Sequence, residues 1–342
     1  TEVLTRRGWL NFGDLHEDDI LATVNPETLI MEWQAPSEII WRPYEGEMLH
    51  FEQRNSFDLL VTPDHKMLVD SRVGNNISGR KHADWQLMPA REMSENFAHR
   101  KWKMATTSSG YDGHLPEIID IPQIAQREMP HSRSIKSIET PDLMQLAGWY
   151  LSEGSIYDAD ETQKRGSISI SQCLNVNPEN HAAIVELFGR IGLPARVGVR
   201  AIEAWNISLA EFLREQFGRG SYYKRIPRWV KDLDPTLLEI LRDTMMKGDG
   251  NANGYAYTSF SDQLRDDFQE ICFSTGWRSC ATGKVVRIGQ TNTFPEVRKA
   301  PASVAYQGMI GCATVPNHTL VVRRNGQVVV SGNSYNDFGH TE

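Results

Sequence analysis

Three groups of residues in this sequence have types and spacings suited to chemistry. The first is a pair of acid–glycine steps. Glu153-Gly154 closes the apolar run "LAGWYLSEGS", and Asp249-Gly250 closes "LRDTMMKGDGN". A glycine after a helical run is the expected C-cap, because it is free to take positive φ. Two such helices side by side would bring both carboxylates to one end. Neighbouring carboxylates repel unless a positive charge lies between them. A hard divalent cation with oxygen ligands, Mg²⁺, suits that place, and it can activate water and stabilise the leaving oxygen in phosphodiester hydrolysis. The second group is Thr62-Pro63-Asp64-His65 in "LLVTPDHKMLV", a hydroxyl and an imidazole placed around a turn. Histidine is the side chain best able to move protons near neutral pH. The third is the end of the valine strand Val328-Val329-Val330, which runs through Ser331-Gly332 into Asn333-Ser334 and then a polar tail.

The elements that must position these groups follow from the hydrophobic periods. The first ~105 residues read as β-rich, with short apolar runs divided by turn signals such as Asn25-Pro26-Glu27. Residues 106–140 mix Ser, Gly, Pro and charge and read as a connector. Helical periods appear at 141–152, 178–191, 208–217, 235–247 and 261–275, with short strands between them. After about Gly283 the pattern is β-like again. It ends in a hairpin whose two strands flank Asn325-Gly326, the strongest short-range hairpin signal. The order β, α/β, β suggests that the two outer parts complete one all-β domain, with the middle as an insertion.

Length and composition bound the rest. The chain has 342 residues, 40% of them hydrophobic, which suits two packed domains. The net charge of -8 gives no whole-chain hint of a nucleic-acid partner. Between Arg190 and Lys231, however, nine basic residues stand against three acidic ones, a local balance of +6. That window, with Arg190, Arg196, Arg200, Arg225, Arg228 and Lys231, is expected to neutralise DNA phosphates. The four cysteines form no CxxC pair, so neither a zinc site nor a disulfide framework is indicated. No signal peptide and no membrane-spanning run is read, so a cytoplasmic location and no membrane partner are expected.

The two acidic helices resemble the paired motifs of LAGLIDADG homing endonucleases, and the resemblance extends over about 141–282. "YYKRIPRWV" resembles the family's basic segment between the motifs, which would make Lys224 a catalytic-site lysine, and "SFSDQLRDDFQEICFSTG" resembles the helix after the second motif. In the second motif Arg242, Asp243 and Thr244 stand where small apolar residues are usual. The resemblance implies Glu153 and Asp249 as catalytic metal ligands, Mg²⁺ for the nuclease, and a long double-stranded DNA site.

The flanking segments "LTRRGWLNFGDL", "VTPDHKMLV" and "TVPNHTLVVRRNGQVVVSGNS" occur in the order seen in inteins, with the endonuclease-like segment before the last. Nearly the whole chain therefore resembles an intein with an embedded homing endonuclease. The fold so implied is a discontinuous, all-β, horseshoe-like Hint splicing domain with an inserted α/β domain of αββαββα repeats. Its parts would be 1–135 (splicing domain and connector), 136–283 (endonuclease), 284–333 (splicing domain) and 334–342 (host-protein tail). The activity implied is self-excision by acyl shift, transesterification and Asn cyclisation, with no cofactor for splicing, in a monomer covalently attached to its host protein. Asn333 would cyclise, Ser334 would be the downstream nucleophile, Thr62 and His65 would activate the upstream scissile bond, and His318 would assist cyclisation.

Three departures from the pattern stand out. The sequence begins at Thr1, a few residues past the family's initiating nucleophile, so as written it lacks the usual first step. Gly332 replaces the usual His, which shifts weight to His318 and implies a looser terminal backbone and slow cleavage. Cys312 stands where a minority class has its initiating nucleophile, but Met67 replaces that class's Trp. Cys312 is thus nucleophile, proton relay or packing residue. Two alternatives remain: a DNA-binding or maturase-like protein with an inactive nuclease, and a hedgehog-like autoprocessing domain, which Asn333-Ser334 disfavours.

Overall fold

The computed structural model describes residues 1–73, 85–124, 134–157, 166–290 and 294–333. The chain divides into two units, one made of Thr1–Asp112 with Cys272–Glu342 and one of Gly113–Ile271. Ser334 lies outside the described residues.

In the outer unit the early and late segments are interleaved strand by strand. Glu2–Thr5 pairs with Gly8–Asn11 on one side and with Thr319–Arg324 on the other, Val3 opposite Val322. The long strand Glu38–Gln53 runs antiparallel to Ala302–Thr314, from Ala302 opposite His50 to Thr314 opposite Glu38. Each early strand has a nearby partner on one edge but completes its other edge only with the late segment, so the outer parts must fold together. The closing hairpin joins Thr319–Arg324 to Gln327–Gly332 through Asn325 and Gly326, with φ of 48° and 73°. Both turn residues are thus left-handed, which is why Asn-Gly is favoured there. Val322 and Val329 face one buried cluster, with Phe51, Leu59 and Trp102; Val321, Val328 and Val330 face another, with Leu4, Leu68 and Phe273. A strand buried on both faces reads as an unbroken apolar run rather than an alternation. That accounts for the three consecutive valines.

In the middle unit the helix Thr140–Glu153 packs along the helix Pro235–Asp249. The crossing is close because small residues face each other at two levels. A Cβ on Gly148 would lie 2.6 Å from the Thr244 Cβ, and one on Gly248 would lie 2.2 Å from the Ser152 Oγ. Both hydroxyls are spent within their own helices: Ser152 donates to the Gly148 carbonyl at 2.9 Å and Thr244 to that of Ile240 at 2.7 Å. Thr244 therefore acts as a small packing residue, and the departures at Arg242–Thr244 do not loosen the crossing.

The first helix is followed by Gly154–Tyr157, Ser167–Ser171, the helix Pro178–Arg190, Ala195–Val197, Ala201–Trp205 and the helix Ile207–Phe217. The four strands form one sheet, and the segment is αββαββα as expected. The second half departs from that plan. After Pro235–Asp249 come a bridge of Gly250 to Tyr257, the strand Ala256–Thr258 and the helix Asp262–Ser274. The next hairpin, Arg278–Thr282 with Val285–Gly289, belongs to the outer unit, where Cys280 pairs with Gln327. No helix follows it among the described residues.

The unit boundaries also differ from 135/136 and 283/284. Ile118–Asp120 pairs with Ser137–Glu139 directly before the first helix, so part of the expected connector is built into the middle unit. No described helix is long and apolar enough to cross a membrane.

Candidate functional sites

The outer unit holds a cavity of about 620 Å³ whose walls include Thr62, His65, Cys312, Ser331 and Gly332. The turn bearing Thr62 and His65 is closed by His65 N–H donating to the Thr62 carbonyl at 3.1 Å. It is fixed from outside by Ala90 and Arg91, whose N–H groups donate to the carbonyls of His65 and Pro63 at 2.9 and 2.7 Å. The His65 Nε2 is 2.8 Å from the Ser331 Oγ. Burial depresses the imidazole pKa to about 4, opposed by a hydrogen bond with the Gly332 backbone, so His65 is neutral at pH 7. Ser331 was not anticipated as a site residue; its only sequence signal is its place two residues before Asn333.

Gly332 is not a loose point in the backbone, contrary to expectation. A Cβ there would lie 2.2 Å from the Lys66 carbonyl oxygen, so the backbone after His65 occupies the space of any side chain at 332. Met67, next along, is fully buried in the core. Cys312 forms part of the cavity wall opposite Ile40 in the long ribbon, with its Sγ 3.9 Å from the Ala313 carbonyl.

His318 and Asn333 do not line this cavity but are joined to each other beside it. His318 has a φ of 55°, unusual for a residue with a Cβ. The neighbouring Asn317 holds the turn in place: its N–H donates to the Gln34 Oε1 at 3.0 Å and its Nδ2 to the Glu32 Oε2 at 2.9 Å. The His318 carbonyl accepts the Asn333 N–H at 3.0 Å. Asn333 is 0% exposed, and among the described residues neither its Oδ1 nor its Nδ2 has a hydrogen-bond partner. A buried primary amide with no partner costs roughly 1–3 kcal/mol, so its presence calls for an explanation.

The second site lies at the ends of the paired helices in the middle unit. Burial and then the like charge of Glu153 raise the Asp249 pKa to about 7, against the opposing pull of Lys224. Burial raises that of Glu153 as well, and Gln172 Nε2 donates to its Oε1 at 3.1 Å. Lys224 Nζ donates to the carbonyls of Tyr150 and Gly154 at 2.6 and 2.8 Å, and burial lowers its pKa to about 8. Glu153, Asp249 and Lys224 are thus gathered at one corner, with the lysine bonded to the end of the first helix. Two buried carboxylates, one of which further raises the other's pKa, suit a hard divalent cation with oxygen ligands. No group of three metal-ligating side chains occurs among the described residues. A cation here would take the rest of its shell from water and phosphate, as Mg²⁺ commonly does.

The basic window is not a continuous surface. Lys231 is buried between Asp267 at 2.7 Å and Glu270 at 2.9 Å, and Arg228 pairs with Glu270 at 2.5 Å and Asp232 at 3.3 Å. The acids that neutralise them come mainly from the helix Asp262–Ser274, outside the window where charge was counted. Arg190 is paired with Asp142 at 2.8 Å and Glu186 at 3.2 Å, and Arg196 lies 3.9 Å from Glu203. Arg200 and Arg225 are exposed.

No protein-family model matches the chain. Three curated proteins are similar to it. A DNA-directed RNA polymerase subunit beta C-terminal section from Stigeoclonium helveticum is 23% identical over 97% of this chain and 36% of its own length. A ribonucleoside-diphosphate reductase subunit beta from Aquifex aeolicus is 23% identical over 98% and 49%. An ATP-dependent Clp protease proteolytic subunit from Chlamydomonas moewusii is 22% identical over 93% and 30%. The chain therefore spans 30% to 49% of the length of these relatives. Among solved structures, mesophilic variants of the homing endonuclease I-DmoI superpose with a TM-score of 0.34 and 10% identity, over 45% of this chain and 91% of that one. I-DmoI in complex with DNA and Mn gives 0.34 and 8%, over 45% and 92%. A superposition of that quality does not establish a shared fold.

The depressed His65 pKa has a consequence for stability. Between about pH 6.5, where a free imidazole titrates, and about pH 4, the unfolded chain binds a proton that the folded chain does not. The contribution is complete above pH 6.5 and is lost as pH falls toward 4, on the order of 3 kcal/mol. Urea unfolding across this window should show the wild type losing that much relative to His65→Gln.

Proposed function

We propose that this chain is a protein-splicing segment that carries a DNA endonuclease unit. The observation that carries the reading is Asn333: a buried asparagine whose amide is unpartnered among the described residues, held by its backbone at the end of a strand buried on both faces. A side chain that must attack its own carbonyl cannot also be tied up in hydrogen bonds. No described residue ties up the amide, and the Asn333 backbone N–H is anchored to the His318 carbonyl. The cavity beside it, with Thr62 and His65, suits the acyl shift upstream. A neutral imidazole can accept a proton there.

The similar proteins support the same reading. A polymerase subunit, a reductase subunit and a protease subunit have no named activity in common, yet each matches nearly all of this chain over only part of itself. A segment common to all three does not make any one of them a polymerase, reductase or protease. An insert that leaves its host protein intact fits that distribution.

In the middle unit Glu153 and Asp249 would hold a divalent cation, which supplies Lewis-acid activation of water and of the scissile phosphate when bound. Lys224 places a cationic group beside the two acids while its Nζ is held by the Tyr150 and Gly154 carbonyls. For DNA binding, the sheet offers Tyr157, Ser167 and Trp205 in one cross-strand row, with both aromatics exposed. The four-stranded sheet of the first half would then carry more of the recognition than the single described strand of the second. The departures of the second acidic helix at Arg242 and Asp243 favour, as a second reading, a unit that binds DNA without cutting it.

Incubation of the chain should release a peptide beginning at Ser334, and Asn333→Ala should release none. Equal release from both would refute the assignment. With Mg²⁺ and cognate DNA, the wild type should cut and Asp249→Asn should bind without cutting. If both bind and neither cuts, the second reading holds.

A further inference from the structure

We propose that His65 also serves the downstream junction, supplying through Ser331 the imidazole that position 332 lacks. This rests on the splicing reading above. Gly332 has no side chain and cannot acquire one, because the Lys66 carbonyl oxygen lies 2.2 Å from where its Cβ would be. The segment that takes up that space is the one carrying His65. The imidazole reaches the same strand end by two routes, Nε2 at 2.8 Å from the Ser331 Oγ and a hydrogen bond with the Gly332 backbone. The residue that excludes a histidine at 332 thus follows directly after a histidine bonded to residues 331 and 332.

The step it serves is balanced within the chain. The Asn333 Nδ2 forms a bond to the Asn333 carbonyl carbon, and the bond from that carbon to the Ser334 nitrogen breaks. Nδ2 loses one proton and the departing amine gains one. His65 accepts the first and returns the second, so it ends as it began. Its depressed pKa keeps it in the accepting form at neutral pH. Ser331 is a positioning residue in this scheme. Its hydroxyl fixes the ring against the strand that carries Asn333, and Thr is the one other side chain that can offer the same group from the same place.

The test measures release of the peptide beginning at Ser334 from the full chain. His65→Ala should slow release roughly 100-fold, the lower end of what general acid–base catalysis contributes. Added imidazole should restore much of the rate by entering the cavity. His65→Gln keeps size and hydrogen bonding without proton transfer and should be as slow as the alanine variant, with circular dichroism confirming its fold. Ser331→Ala should slow release and Ser331→Thr should recover it. Release from His65→Gln at the wild-type rate, with the whole loss instead in His318→Ala, would overturn the proposal. So would a slow His65→Ala that imidazole does not rescue. Failure of the splicing reading itself looks different: Asn333→Ala would then release the peptide as the wild type does, whatever stands at 65.

Discussion

The outer unit depends on one backbone contact, the approach of the Lys66 carbonyl to the α-carbon of Gly332. It is possible only with glycine, and it brings two segments separated by most of the sequence into register at the cavity wall. From it follow the His65–Ser331 hydrogen bond and the burial of Asn333. Overpacking at such a contact forces the backbone apart, at a cost of typically 1–3 kcal/mol. The strand pairing of Val3 with Val322 and the ribbon of Glu38–Gln53 with Ala302–Thr314 hold the same two segments together over a longer span. Without that scaffold the contact would be a chance encounter of loops.

The middle unit rests on a similar device made of side chains. Gly148 against Thr244 and Ser152 against Gly248 let two helices approach closely and in parallel levels. The close approach sets Glu153 and Asp249 at the same end, where burial first and the like charge of Glu153 second raise the pKa of Asp249. A packing rule and an electrostatic conflict are therefore one arrangement. In both units a glycine places an acid or an imidazole where it would not sit if the chains were a methyl group further apart.

Much of this was legible in the residues. The five helical periods lie within about two residues of the observed helices, and Asn325-Gly326 makes the expected turn, because period and turn chemistry are local properties. The acidic corner was legible because each acid is followed by its own glycine, but not for the reason expected: Gly154 and Gly250 have φ of -87° and -79° rather than positive φ, and each is a glycine because a Cβ would strike the preceding turn at Tyr150 or Met246. What could not be read was set by distant partners. Lys231 looked like a surface cation because Asp267 and Glu270 fall 36 and 39 positions further along. Gly332 looked loose because the group filling its side-chain space is the carbonyl of Lys66. The strand Arg278–Thr282 looked like the end of the inserted segment, with its hairpin partner Val285–Gly289 already outside it, since nothing in its own residues shows its pairing with Gln327.

The central claim is that Asn333 attacks its own carbonyl, and the most direct measurement is the exact mass of the fragment ending at Asn333 after the tail is released. Cyclisation leaves a succinimide, one water lighter than the acid that hydrolysis would leave. The account predicts the succinimide mass as the first product, converting slowly to the hydrated form. A fragment that bears a free carboxylate from the earliest time point would contradict it.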